Sequence, residues 1–176
     1  MNIMRDIRIE KITLNIGAGE AGDKLSKALK LLENVAGIKP VQTITMKRIP
    51  SWGLRPKLPI GAKVTLRGER AYEVLKRLFT AKDNQISVRK FDNHGNLSFG
   101  IHEYLDIPGV EYDPSIGVIG LEVAITLERP GYRIKKRKLN NTKIGSRHLI
   151  KKEEAKEFIR NKFNVKILEG EEDELQ

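Results

Sequence analysis

Apolar positions in this chain recur first at strand spacing, then at helical spacing, and then in a mixture of both. Between positions 7 and 16, Ile12, Leu14 and Ile16 alternate with Lys11, Thr13 and Asn15, the period of a half-buried strand. Asp23 opens a stretch in which Leu25, Ala28, Leu29 and Leu32 recur at helical spacing, with Gly37 as a C-terminal stop and Pro40 shortly beyond. A second strand is expected over 41–47, polar at Thr43, Thr45 and Lys47. A third is expected over 61–67, with Ala62, Val64 and Leu66 on one face and Lys63, Thr65 and Arg67 on the other. The stripe Ala71, Val74, Leu75, Leu78, Phe79 predicts a helix over 69–82, with Glu69 in its first turn and Lys82 in its last, as the helix dipole favours. Strands over 86–91 and 97–105 are expected to join through Asp92-Asn93-His94-Gly95. A long strand over 118–128 turns Leu121, Val123, Ile125 and Leu127 inward and stops at Pro130-Gly131. A last helix over 152–163 aligns Ala155, Phe158, Ile159 and Phe163.

Helices and strands in this irregular order, with hairpin-like pairs after Gly61, predict an α+β fold: a mostly antiparallel sheet with helices packed on one face and the other face open. One domain is expected over 1–168, including a basic extension at about 129–152 and the C-terminal helix. Residues 169–176 form an acidic tail that is expected to be disordered.

Charge sharpens this picture. The 176 residues hold 33 Lys plus Arg against 23 Asp plus Glu, a formal net charge of +10. The excess is confined to two places. No acid occurs from Asn34 to Gly68, which carries seven bases, or from Arg129 to Lys152, which carries ten. The rest of the chain is net acidic. Two acid-free segments of this length suit a polyanion, because Lys and Arg bind phosphate with counterion release and a neighbouring carboxylate opposes it.

The alternation and the charge meet on the open face. The first three strands expose Lys11, Thr13 and Asn15; Thr43, Thr45 and Lys47; and Lys63, Thr65 and Arg67, with no acid among them. Hydroxyls, an amide and cations are the groups that contact phosphate and sugar oxygens. The face lacks paired aromatics for base stacking, so backbone and shape recognition of structured RNA fits it best. The loop 48–59 is a second candidate. It carries the chain's one tryptophan, Trp52, beside Gly53, with Arg48, Arg55 and Lys57 around it and three prolines that limit its freedom. Trp52 can serve there as a stacking surface or can fold back onto the core.

Several chemistries are excluded or weakened. Without cysteine there is no disulfide scaffold, thiol nucleophile, iron–sulfur cluster or cysteine zinc site. His94, His102 and His148 are scattered, and no metal-ligand spacing is evident. No apolar run approaches the ~20 residues of a membrane helix, and Arg5, Asp6 and Arg8 interrupt the N-terminus where a secretory signal would be apolar, so no membrane partner is expected. One motif competes. Gly17-Ala18-Gly19-Glu20-Ala21-Gly22 matches the dinucleotide fingerprint between a strand and a helix, and Lys47 with Arg48 would suit the 2′-phosphate of NADP. Against it, the acid expected about 20 residues on is missing, the first strand is polar on one face, and no repeated βαβ units follow. A glycine turn from strand to helix accounts for the same residues.

Longer motifs carry a resemblance. Ile12-Thr13-Leu14-Asn15-Ile16-Gly17 with Gly19-Glu20-Ala21, Lys39-Pro40, the run from Pro59 through Gly61 to Gly68, Phe91-Asp92-Asn93-His94-Gly95-Asn96 with Ser98-Phe99-Gly100, and Ile107-Pro108-Gly109-Val110 resemble the large-subunit ribosomal protein L-five family. Glu128-Arg129-Pro130-Gly131-Tyr132-Arg133, followed by a basic run and a helix, is similar to its archaeal or eukaryotic branch. The resemblance covers about 1–165 and implies a non-enzymatic protein of the central protuberance, on the ribosome in the cytoplasm, without cofactor or metal. It implies that the open face, including Asn15, Gly17, Thr43, Lys47, Thr65 and Arg67, docks on 5S rRNA. It further implies that Arg48, Trp52, Gly53, Arg55 and Lys57 reach P-site tRNA, and that Pro108, Gly109, Glu111 and Asp113 meet the small-subunit protein S-thirteen in an intersubunit bridge. Arg133, Lys135, Lys136, Arg137, Lys138, Lys143 and Arg147 would contact large-subunit rRNA beside other central-protuberance proteins.

Overall fold

The computed structural model describes residues 2–168. The expected acidic tail lies outside the described residues. Among them, seven strands and three α-helices follow in the order β1 (Arg8–Gly17), α1 (Asp23–Ala36), β2 (Val41–Ile44), β3 (Pro59–Leu66), α2 (Glu69–Thr80), β4 (Gln85–Ser87), β5 (Leu97–Ile101), β6 (Leu121–Glu128), α3 (Lys152–Phe163) and β7 (Lys166–Leu168). Single turns of 3-10 helix fill several of the connections. Five strands form an antiparallel sheet in the order β2-β3-β1-β6-β5, so the α+β expectation holds. β1 is the central strand, and both of its neighbours run against it.

That pairing makes the sheet two-faced. Directly paired residues share a face, so Ile12, Leu14 and Ile16 of β1 lie level with Leu66, Val64 and Ala62 of β3 and, for the first two, with Ile125 and Val123 of β6. All of these are buried. The helices supply the other half of the core. α1 contributes Leu25, Ala28, Leu31, Leu32 and Val35, and α2 contributes Ala71, Val74, Leu75, Leu78 and Phe79. Each of the larger side chains adds about 1.5–3 kcal/mol by leaving water, which is why the apolar stripes and the strand alternation select one another. α1 ends where Gly37 takes the left-handed conformation and its N–H bonds the Glu33 carbonyl.

α3 closes the end of the helical layer. Phe163 stacks on Tyr72 and meets Phe79 edge-on, and Ala155 and Ile159 are buried. The residues after α3 form β7, which pairs in parallel with β4 as a separate two-stranded ribbon. Thus β4 is not the hairpin partner of β5. The turn between them is nonetheless built as its residues suggest, with the Asp92 carboxylate accepting from the His94 and Asn96 amides. The expected strands after Ser87 and Ile101 stop short and give way to 3-10 turns at Val88–Lys90 and Tyr104–Asp106.

The basic extension is tied down at its base. Arg129 is only 3% exposed; its guanidinium donates to the His148 and Leu149 carbonyls and pairs with Glu154 at 2.7 Å. The Tyr132 hydroxyl donates to the His148 carbonyl and accepts from the Ile150 amide. Residues 133–147 therefore leave and rejoin the body at one point, as a closed loop. Glu154 also caps α3 by accepting from the Lys151 N–H. Burial opposes the Glu154 carboxylate, but the Lys151 amide and the Arg129 guanidinium outweigh it and hold its pKa below the ordinary value.

Gly61 pairs with Gly17 across β1 and β3, and a Cβ there would lie 2.8 Å from Thr43 Oγ1 and 2.9 Å from the Ile16 carbonyl oxygen. Gly61→Ala should cost about 1–3 kcal/mol, read as a lower denaturation midpoint in urea. Because the pKa of Glu154 is lowered on folding, its contribution is complete above the ordinary carboxylate range and fades as pH falls through the lowered value. Glu154→Gln should lower Tm at pH 6, and the gap to the unsubstituted protein should narrow as pH falls below the ordinary carboxylate range.

Candidate nucleic-acid interface

The face of the sheet turned away from the helices is polar and uncovered among the described residues. Two cross-strand rows define it. Ser98, Ala124, Thr13 and Thr65 line up across β5, β6, β1 and β3; Gly100, Glu122, Asn15, Lys63 and Val41 line up across β5, β6, β1, β3 and β2. Lys63 and Thr65 are exposed, Thr13, Asn15 and Lys11 are half-buried, and Arg67 is exposed just beyond the end of β3. The strands β2, β3 and β1 are neighbours, so their cations and hydroxyls form one surface. Where Gly17 faces Gly61 neither strand carries a side chain; Gly17 is exposed, whereas Gly61 is buried beside Thr43.

Thr43 lies on this face beside Gly61, but Thr45 does not belong to it. The register slips between Thr43 and Ile44, the pairing of β2 ends, and Thr45 is buried with its hydroxyl donating to the Lys47 carbonyl. Thr45 is thus a structural residue that folds the chain into the next loop. The slip brings Ile44 opposite Pro59 and leaves it exposed, as Val41 and Met46 are. Lys47 is exposed at the start of the loop.

The loop 48–59 is a short arm. The Thr45 amide donates to the Leu58 carbonyl and the Lys57 amide to the Thr45 carbonyl, while Ile49 and Leu54 exchange both of their backbone hydrogen bonds. Leu54 is buried and anchors the arm. Its tip is the turn Pro50–Trp52, closed by Gly53 in the left-handed conformation. Trp52 is 73% exposed, so its ring lies outward and does not fold back onto the core. Arg48, Gly53, Arg55 and Lys57 are exposed around it.

Acids reach the same face from strands whose position the sequence does not reveal. Glu122 of β6 accepts a hydrogen bond from the Asn15 amide at 3.2 Å, and Glu128 pairs with Arg8 at 2.8 Å. The acid-free surface therefore spans β2, β3 and β1 from Lys11 to Gly17; it ends at β6 and at Glu10 of β1, whose carboxylate meets Lys136. Within the basic extension, Arg133, Lys135, Lys136, Arg137, Lys138, Lys143 and Arg147 are all exposed. Three of them are held internally: Lys135 sits over the Tyr132 ring, Arg137 donates to the Asn140 carbonyl, and Lys136 bonds Glu10 and Glu128. Arg129, at the base of the same extension, is buried and serves the frame.

The loop between β5 and β6 carries the other expected site. Pro108, Gly109 and Glu111 are exposed, and Gly109 and Glu111 line an open groove of about 420 Å³ with Asn34, Tyr112 and Asp113. Hydrogen bonds from Ser115 hold the Asp113 carboxyl below its usual pKa. This loop carries Glu103, Asp106, Glu111 and Asp113 and is the acidic counterpart of the basic surfaces.

The glycine motif has no crevice to serve. A dinucleotide fingerprint works at the carboxyl end of a strand flanked by parallel neighbours, and β1 is antiparallel to both of its own. The Ala18 and Gly19 amides, which would face a pyrophosphate, both donate to the Ile60 carbonyl. Among the described residues, no helix is long and apolar enough to cross a membrane.

Comparison with known proteins identifies the family. Residues 2–55 match the family described as ribosomal protein L5, and residues 59–158 match the model for the C-terminus of the same ribosomal family. The large ribosomal subunit protein uL5 of Sulfurisphaera tokodaii is 50% identical over 171 residues, covering 97% of this chain and 97% of that protein. The protein of the same name from Nanoarchaeum equitans is 52% identical over 166 residues, covering 94% of this chain and 98% of that protein. With the two family matches together spanning nearly its whole length, the chain belongs to the ribosomal protein L5 family and is a non-enzymatic constituent of the large ribosomal subunit.

Proposed function

We propose that this protein binds 5S rRNA through the open face of its sheet and so forms part of the central protuberance. The observation that carries the reading is the shared acid-free surface of β2, β3 and β1 from Lys11 onward, on which Lys11, Lys63, Thr13, Thr65, Asn15 and Thr43 lie together with the exposed Gly17, with Lys47 and Arg67 at its margins. Cations and hydroxyls set on a rigid sheet contact phosphates and ribose without reading base edges, which suits a folded RNA. The loop 133–147 adds contacts to large-subunit rRNA. The arm 48–59 extends a tryptophan between cations and is suited to the backbone and an exposed ring of P-site tRNA. The acidic loop around Pro108, Gly109, Glu111 and Asp113 fits a basic partner and is the element that meets the small-subunit protein S-thirteen.

The test of the first role is a binding titration with 5S rRNA at increasing salt. Affinity should fall steeply with salt. Changing Lys47, Lys63 and Arg67 together to Ala should weaken binding and flatten the log–log slope by about one unit for every phosphate left without its cation. Salt-insensitive binding, or equal affinity for an unrelated structured RNA, would contradict it. The second role separates from the first. Trp52→Ala should leave 5S rRNA affinity within about twofold while weakening tRNA crosslinking to the arm in assembled ribosomes, since stacking on an aromatic adds about 1–3 kcal/mol.

A further inference from the structure

β1 contains an irregularity that RNA binding by the open face does not explain. Ile9 pairs with Leu127 and Lys11 with Thr126, so Glu10 is an extra residue bulged out of the ladder. Its side chain is only 10% exposed, and its carboxylate lies 2.6 Å from the Lys136 ammonium. The same ammonium is 3.3 Å from Glu128, which in turn pairs with Arg8. Desolvation opposes the charge on Lys136, yet the Glu10 hydrogen bond and charge, with those of Glu128, outweigh it and raise its pKa.

Three features make this contact more than a surface ion pair. Carboxylates beside a phosphate-binding surface repel the ligand, so a sheet built only to bind RNA has no use for Glu10 and Glu128 there. Lys136 belongs to the loop 133–147, whose two ends are already joined through Arg129 and Tyr132 to residues 148–150. Its bond to Glu10 is a second attachment, and it lands at the end of β1 where Lys11 and Arg67 border the open face. The contact thus ties the second acid-free segment to β1, the strand that pairs with β3 of the first.

We propose that Glu10 is a positioning residue for RNA binding: through Lys136 it docks the basic loop 133–147 against the end of the open sheet face, so that loop and sheet present one continuous cationic footprint. The inference rests on the proposed rRNA-binding role. An undocked loop would have to be ordered at the moment of binding, whereas a docked one has met that cost in folding.

Repulsion and docking predict opposite signs. If Glu10 only repels phosphate, removing its charge tightens binding; if it docks the loop, removing its charge weakens binding. The full chain and its E10Q, K136M and E10Q/K136M variants are titrated with 5S rRNA over a salt series, with thermal unfolding as the control for folding. E10Q should weaken binding about fivefold and flatten the salt slope by about one unit, and should add nothing in the K136M background. In the RNA-free protein, amide hydrogen exchange over 133–142 should rise in both single variants. Should E10Q fail to fold, K136M, altered at an exposed side chain, gives the same exchange readout. Unchanged or tighter binding by E10Q, an equal weakening in both backgrounds, or unchanged exchange overturns the proposal. Absence of salt-dependent binding by the unsubstituted protein overturns the RNA reading instead, and the exchange data then still report whether the loop is docked.

Discussion

A β-strand can bury only every second side chain, and in this protein that constraint falls on β1. With β3 on one side and β6 on the other, both antiparallel, its Ile12, Leu14 and Ile16 are committed to the helices. Thr13, Asn15 and Lys11 are then committed to the opposite face. Slipping β1 by one residue would place three large apolar side chains in water and three polar ones under α1 and α2, so the register is strongly specified. The proposed binding face is therefore not an addition to the fold. It is the other half of the same alternation that builds the core, and its rigidity comes from the helices behind it.

Electrostatics then divide that face. Where β2, β3 and the part of β1 from Lys11 onward adjoin, no carboxylate competes for phosphate; at β6 Glu122 and Glu128 do, and at the β1 bulge Glu10 does. The basic loop resolves part of this conflict. Lys136 and Arg8 neutralise the Glu10 and Glu128 carboxylates, while Arg129 is withdrawn from the surface and pairs with Glu154. A charge count treats these cations alike. In the structure some hold the frame and others face outward, and an ion pair such as Arg129–Glu154 matters more for fixing where the loop emerges than for net stability.

Helix positions are legible in the sequence because their signals are local. The stripes in α1 and α2 and the aligned apolar residues of α3 repeat within a few turns, and Asp23, Gly37 and Glu69 mark ends through capping and dipole effects. β4 and β7 are not legible as partners: three-residue strands have no period, and their parallel pairing joins segments about eighty residues apart in sequence. On the site itself, alternation places Thr13, Asn15, Lys63 and Thr65 correctly on the open face. It misplaces Thr45 because a register slip ends β2, and no residue type in 41–47 announces that slip. Glu10 escapes it too, although a trace exists. Ile9 and Ile12 are three apart in a strand whose other apolar residues are two apart, and that break in parity is the bulge. Which acids share the face depends on strand order, which alternation cannot supply.

The face opposite the helices, and not the helical face, is the one proposed to be covered by 5S rRNA. Lysine acetylation of the protein free and in complex with 5S rRNA, read residue by residue by mass spectrometry, tests this directly. Lys11, Lys47 and Lys63 should lose reactivity on binding, while the exposed Lys30 of α1 and Lys76 of α2 on the helical side should keep it. Protection of Lys30 and Lys76 with continued labelling of Lys11 and Lys63 would contradict the account.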